Sequence, residues 1–314
     1  MINEIFERVL IIGGTGFIGS NLVSELLGSG CSPTILTRNK DRHKLPENLR
    51  KKITLVELDI TDYSATKSFI LDFRPTLIIN SAATLGLEDN NGKTVYRINY
   101  EAVKNLLETS LAAKVKKIIL FGSADEYGYQ PIPQNENLPL RPNSPYAVSK
   151  AEMTNLALEM YENDELPVVI LRPFTVYGMT QPKGMFLSDA IRCALENRAF
   201  EMSEGKQKRD YIFISDFVRA IMSAIRTPDI EGESFNIGSG QAFPLREIAE
   251  KVWEISGADT SLLKIGARKA SLSELHDTCA DITKAEKLLN WHPIINLNDG
   301  LNQTIESIKE NSRT

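Results

Sequence analysis

The chain has 314 residues, 42% hydrophobic and 25% charged, with a formal net charge of −5. That length buries a large core and leaves room for a second, smaller lobe. The acidic balance, the want of any Lys/Arg run interleaved with aromatics, and the want of an apolar stretch of about 18 residues exclude a nucleic-acid groove and a membrane span.

Glu4 and Glu7 precede the first apolar run, which is not the pattern of a signal peptide. Cys31, Cys193 and Cys279 are scattered and odd in number, as expected of reduced, buried thiols in a cytoplasmic protein. His43, His276 and His292 form no metal-ligand spacing, and His292 between Trp291 and Pro293 reads as a turn. No metal site is expected.

Val9–Ile12 is a short apolar run of the kind that makes a buried parallel strand. Gly13-Gly14-Thr15-Gly16-Phe17-Ile18-Gly19 follows, and then a helical pattern through Leu22, Val23, Leu26 and Leu27. Glycines at 13, 16 and 19 suit a tight turn, close approach of a pyrophosphate, and close packing of helix on strand. The helix amino terminus offers N–H groups and positive dipole to phosphate, so this stretch predicts a dinucleotide site.

The second strand, Thr34–Thr37, runs into Arg38 and Asn39. A carboxylate usually stands here when the ribose 2′-hydroxyl is free. Thr37 is uncharged, and the Arg38 guanidinium can fork onto a 2′-phosphate, so NADP(H) is expected ahead of NAD(H). The alternative is a solvated surface arginine, and Arg42 is placed to share the role.

A third strand over 53–58 closes on Asp59 and Ile60. Asp59 suits either the adenine amino group or the cap of a helix at Tyr63–Phe73, and the two roles are compatible. A fourth strand over 76–80 ends in Ser81, Ala82 and Ala83, small enough for a cofactor to approach the backbone. A long helix over 96–113 carries Val103, Leu106, Leu107 and Leu111 as its apolar stripe. The fifth strand, Lys117–Phe121, leads into Gly122-Ser123-Ala124-Asp125-Glu126-Tyr127-Gly128, so Ser123 stands at a strand's carboxyl end, where ligands bind in open α/β sheets.

Ser144 and Pro145 then announce a helix, as N-cap and first helical residue. Tyr146 and Lys150, four apart, share one face of it. An ammonium beside a phenol favours the phenolate and lowers the tyrosine from its usual value of roughly 10. Ser123, Tyr146 and Lys150 thus form an acid/base trio: serine and tyrosine bond a substrate oxygen, while lysine holds the ribose and tunes the phenol.

With these residues in place, the chain resembles the extended short-chain dehydrogenase/reductase family of nucleotide-sugar epimerases, dehydratases and reductases. The likeness runs from Gly13–Gly19, through Asp59, Ala82-Ala83, Asn99, Ser123 and Tyr127-Gly128, to Ser144–Lys150. It continues through Leu171-Arg172-Pro173, Val176-Tyr177-Gly178, the stretch 205–216, Phe235-Asn236-Ile237-Gly238-Ser239-Gly240 and 290–293. It implies an α/β fold, a doubly wound parallel sheet of Rossmann type with a smaller carboxyl-terminal lobe. The dinucleotide domain would span 1–178 with 209–245 returning to it, and the sugar lobe 179–208 and 246–314.

By the same resemblance, the cofactor contacts are Gly13, Thr15, Gly16, Phe17, Ile18, Gly19, Arg38, Asp59, Ile60, Ala82, Ala83, Asn99, Tyr146, Lys150 and Pro173. The substrate contacts are Thr84, Ser123, Thr175, Arg209 and Arg268. Arg209 matches an arginine that reaches a nucleotide diphosphate, with an ion pair to Asp210 as its alternative role. The helices over 96–113 and 146–162 match those of a four-helix homodimer interface. The partner is a nucleotide-diphosphate sugar.

Members of this family move hydride between nicotinamide and sugar C4, then return it, eliminate water, or stop. Many dehydratases carry Thr-Asp-Glu where this chain has Ser123-Ala124-Asp125, so Ala124 lacks the acid that protonates a leaving hydroxyl. Asp125 is kept as a catalytic candidate, or else as a turn residue. The stretch 122–150 is most similar to reductases of GDP-4-keto-6-deoxymannose, and the tail, with Glu274 and Cys279-Ala280-Asp281, to other 4-ketosugar reductases.

The sequence therefore points to NADPH-dependent reduction of a nucleotide-linked 4-keto-6-deoxysugar, with Tyr146 as general acid. An NAD-dependent 4-epimerase or 4,6-dehydratase is the alternative, and a non-catalytic dinucleotide-binding module the remote one. Two departures from the family pattern bear on the sugar: Thr175 replaces a frequent asparagine, and Ser271 a frequent arginine near Arg268.

Overall fold

The computed structural model describes residues 2–39, 47–86, 92–269 and 276–311. Arg42, His43, Ser271 and Glu274 lie outside the described residues. Among the described residues twelve strands occur in chain order: β1 Val9–Ile12, β2 Thr34–Thr37, β3 Thr54–Glu57, β4 Leu77–Asn80, β5 Lys117–Phe121 and β6 Val168–Pro173. They continue with β7 Thr175–Tyr177, β8 Phe200–Met202, β9 Lys208–Phe213, β10 Ser234–Ile237, β11 Ala242–Pro244 and β12 Leu263–Ile265.

Seven of them form one parallel sheet, ordered β10-β6-β5-β4-β1-β2-β3. The order reverses between β1 and β4, and a doubly wound sheet opens its ligand crevice at such a point. Period-two alternation sends successive side chains of each central strand to opposite faces, both of them apolar. Val9 and Ile11 enter the core under the helices Phe17–Gly28 and Ile214–Arg226, while Leu10 and Ile12 face Leu106, Leu107, Met153 and Ala157 on the other side. Both faces are covered, and the fold class is the expected one.

The predicted element bounds hold closely from β1 to the helix at Pro145, with one local difference. The 96–113 helix contains a π-turn at Arg97–Glu101 between the α-helical stretches Lys93–Tyr96 and Ala102–Ala113. Such wide turns re-aim side chains, and this one carries Asn99. Among the described residues no helix is long and apolar enough to cross a membrane.

The remaining strands form two smaller sheets. β9 pairs with β7 in parallel and with β11 antiparallel, and β8 pairs with β12, joining the 179–208 and 246–314 segments. Asp210 on β9 is fully buried and accepts from the backbone N–H groups of Ser239, Gly240 and Ala280. Gln134 is equally buried and ties the 128–144 loop to the carboxyl-terminal segment. Its backbone N–H donates to Cys279 O at 2.7 Å and its side-chain oxygen accepts from Cys279 N at 2.9 Å. Its carbonyl accepts from Asp281 N.

Candidate active site

The cleft between β1 and β4 is made by absent side chains. Gly13 has φ +77°, and a Cβ there would stand 2.7 Å from Ala82 N. A Cβ on Gly19 would collide with the Gly13 carbonyl, so the helix Phe17–Gly28 can start this close to β1 only because residue 19 is glycine. Gly16 caps the helix with no side-chain bond, leaving the first-turn N–H groups, including those of Phe17 and Ile18, without intrahelical partners.

The cavity beside them measures about 500 Å³. Gly13, Thr15, Gly16, Arg38, Asp59, Ile60, Ala82, Ala83 and Thr84 line it, with Ile12, Leu36, Leu58 and Ile98 as apolar walls. An apolar slot leading to a helix amino terminus fits the adenosine and pyrophosphate of a dinucleotide. At the slot's rim Thr15 Oγ1 and Thr37 Oγ1 are 3.0 Å apart, and Thr37 also bonds Asn39 O. Arg38 is exposed beside them. Asp59 is not the helix cap: its Oδ1 accepts from Thr61 N and Oγ1, while Asp62 caps Tyr63–Phe73 through Ala65 N.

From Thr84 the contacts lead to the trio. Asn99 does not line the cavity; it clamps the Thr84 backbone on both sides at 2.9 Å and donates to Ser149 Oγ at 3.2 Å. Ser149 in turn donates to Tyr146 O. The helix Pro145–Asp164 begins as expected, with Ser144 Oγ accepting from Ala147 N and Pro145 at its first position. Ser123 caps a short 3₁₀ turn, Ala124–Tyr127, at the end of β5, with its hydroxyl beside the Tyr146 phenol. Pro173 ends β6 and lines neither cavity described here.

The electrostatics depart from the sequence expectation. Lys150 Nζ donates to Phe121 O at 2.7 Å and lies 6.0 Å from the Tyr146 ring centre. Burial pushes the Tyr146 phenol well above its usual value, and the nearby Asp125 charge pushes the same way, opposed by the neighbouring Ser123 hydroxyl. The phenol is thus held protonated, not drawn toward phenolate. Burial lowers Lys150 to about 8, with Glu126 opposing.

Glu126 went unremarked in the sequence, although Ser123-x-x-Glu126 is a capping-box spacing. It is fully buried, and its Oε1 accepts from Ser123 N at 2.8 Å and Thr154 Oγ1 at 3.1 Å. Oε2 pairs with Arg172 Nε at 2.8 Å. Arg172 extends the network to Tyr127, whose hydroxyl donates to Asn236. No local pattern links residue 126 to residue 172.

A second cavity of about 200 Å³ lies against β7 and β9, lined by Thr175, Gln181, Phe186, Arg209, Tyr211 and Arg268 among others. Arg209 does not pair with Asp210, which faces the opposite side of β9; it donates to the carbonyls of Lys208 and His276. Thr175, Arg209 and Arg268 are therefore brought together, as the spacing alone could not show. Two guanidinium groups beside a hydroxyl make a site for phosphate oxygens.

The model of the NAD dependent epimerase/dehydratase family matches residues 9–238. A Bacillus subtilis protein described as an uncharacterized UDP-glucose epimerase, YtcB, is 29% identical, over 95% of this chain and 96% of its own. A dTDP-6-deoxy-L-talose 4-dehydrogenase (NAD(P)+) from Kitasatospora kifunensis is 26% identical over 91% of each. The crystal structure of a Bacillus cereus UDP-glucuronic acid 4-epimerase mutant, with a fluorinated UDP-sugar and NAD, superimposes with a TM-score of 0.86. It is 28% identical and covers 96% of this chain and 99% of that one.

Proposed function

Given that the chain belongs to the NAD-dependent epimerase/dehydratase family, we propose that it reduces the C4 keto group of a nucleotide-linked 4-keto-6-deoxysugar with NADPH. One observation carries the reading. The rim of the adenosine slot holds Thr37, Arg38 and Asn39, with no carboxylate among them, and Thr37 is turned to Thr15 and Asn39. A 2′-phosphate meets a guanidinium there instead of a like charge. A diffusing NADPH suits a reductase, whereas an epimerase recycles its NAD. The talose 4-dehydrogenase relative, named for NAD(P)+, supports the same branch.

In this reading Gly13, Thr15, Gly16 and the first-turn amides of Phe17 and Ile18 hold the pyrophosphate, with Gly19 keeping the helix close. Asp59 and Ile60 meet the adenine, Ala82 and Ala83 let the cofactor approach the backbone, and Pro173 borders the nicotinamide. When bound, the nicotinamide supplies hydride. Tyr146 gives its proton to the developing C4 alkoxide, the direction for which a protonated phenol is ready. Ser123 Oγ accepts from Asp125 N, which leaves the serine proton to bond the same oxygen. Lys150 stands behind the phenol and reaches the ribose. Thr84 and Thr175 face the sugar, and Arg209 and Arg268 take the diphosphate. Residues 1–178 and 209–245 serve the cofactor, 179–208 and 246–314 the sugar nucleotide, and two copies pair through the 96–113 and 146–162 helices.

The second reading, an NAD-dependent 4-epimerase, is favoured by YtcB and the Bacillus cereus enzyme. Mixing the protein with NADPH and a panel of nucleotide 4-keto-6-deoxysugars decides between them. Oxidation of NADPH by one donor is the expected result. Interconversion of two nucleotide sugars without added cofactor, by protein that purifies with NAD, would establish the epimerase instead.

A further inference from the structure

The geometry points to Glu126 as the positioning residue that holds the serine loop, the tyrosine helix and strand β6 in one register. It touches none of the reacting atoms. Its carboxylate is shared by three elements: Ser123 N on the loop, Thr154 Oγ1 on the helix and Arg172 Nε on β6. Thr154 lies one turn beyond Lys150, which lies one turn beyond Tyr146, so the bond to Thr154 grips the same helical face. Gly122 makes room for this, since a Cβ there would run into Glu126 Oε1. The carboxylate thus fixes how far the Ser123 hydroxyl stands from the Tyr146 phenol.

A purely structural ion pair would explain Arg172, but not the two further bonds that end on the serine loop and the helix. The charges around this corner are Asp125 and Glu126 on the turn, Arg172 on β6 and Lys150 on the helix, with the phenol of Tyr146 among them. Glu126 acts on Lys150 as well as on position, and opposes the burial that depresses it. The role rests on Tyr146 being the proton donor, not on which sugar is reduced.

Two variants of the full chain test it: Glu126→Gln, which keeps the size and removes the charge, and Thr154→Val, which cuts only the helix tether and leaves the ion pair intact. For Glu126→Gln, kcat should fall about 10-fold or more with KM and NADPH affinity nearly unchanged, as for a reacting pair moved by a fraction of an ångström. For Thr154→Val the expected fall is about 2–10-fold, the worth of one hydrogen bond. Carbon-13 NMR of labelled lysine, assigned with Lys150→Met, should show Lys150 titrating below its wild-type value in Glu126→Gln.

Unchanged kcat in a folded Thr154→Val protein, or an unmoved Lys150 titration in Glu126→Gln, would overturn the role. Should Glu126→Gln fail to fold, Thr154→Val still decides. If the wild type reduces no 4-ketosugar, the proposed reaction fails, whereas the Lys150 titration, which needs no substrate, still judges Glu126.

Discussion

The two halves of the candidate active site are built by opposite means. The cofactor cleft is a product of omission: Gly13, Gly16, Gly19, Ala82 and Ala83 leave backbone bare and space open. The catalytic corner is a product of concentration: Glu126, Arg172, Lys150 and Asn99 are all buried and hydrogen-bonded to one another's loops and helices. A cleft made of glycine tolerates no added atom, whereas a corner made of buried charge tolerates no subtracted one.

Substitutions at the two halves should therefore fail differently. The largest effect belongs to the corner: Tyr146→Phe should lower turnover roughly 10²–10⁴-fold with NADPH still bound, measured by steady-state kinetics and cofactor titration. Full turnover in that variant would remove the phenol from the chemistry. Next comes the cleft. Gly13→Val sets a branched side chain at a left-handed φ against Ala82, and should abolish measurable NADPH binding in calorimetry while lowering the melting temperature.

At the rim, Arg38→Ala should weaken NADPH about 10-fold or more and leave NADH nearly unchanged, since only the charged pairing to a 2′-phosphate is lost. Equal losses for both cofactors would assign Arg38 a general role. The smallest effect is a pH slope. Lys150 is lowered to about 8 in the folded chain from 10.5, so between these values the unfolded chain binds the extra proton and stability rises with pH. Below about pH 8 the buried ammonium costs its full amount, about 3 kcal/mol. Urea melts of wild type and Lys150→Met should therefore differ in slope across this window, only the wild type gaining stability from Lys150 as pH rises. Parallel slopes would show the ammonium to be well solvated.

The same contrast explains what could be read from the sequence. Omission leaves a local trace: a run of glycines between an apolar strand and a helical pattern names its own purpose. The helix at Pro145 was equally plain, because Ser144 and Pro145 are adjacent signals. The corner was half legible. Ser123, Tyr146 and Lys150 carry recognisable spacing, but the pairing of Glu126 with Arg172 and the grip of Asn99 on Thr84 cross the sheet between distant residues. The direction in which Tyr146 is pushed was misread for a related reason. Adjacency on the helix suggested the Lys150 charge, while burial and Asp125, supplied by the fold, dominate.

Gln134 brings a consequence for the order in which the molecule matures. Every strand next to the dinucleotide cleft has left the ribosome long before Cys279 and Asp281 emerge to meet that glutamine. Contacts so remote along the chain form late. A nascent or clipped molecule ending ahead of them keeps the complete glycine turn and the strands on either side of it, yet lacks the seam that ties the 128–144 loop to residues 279–281.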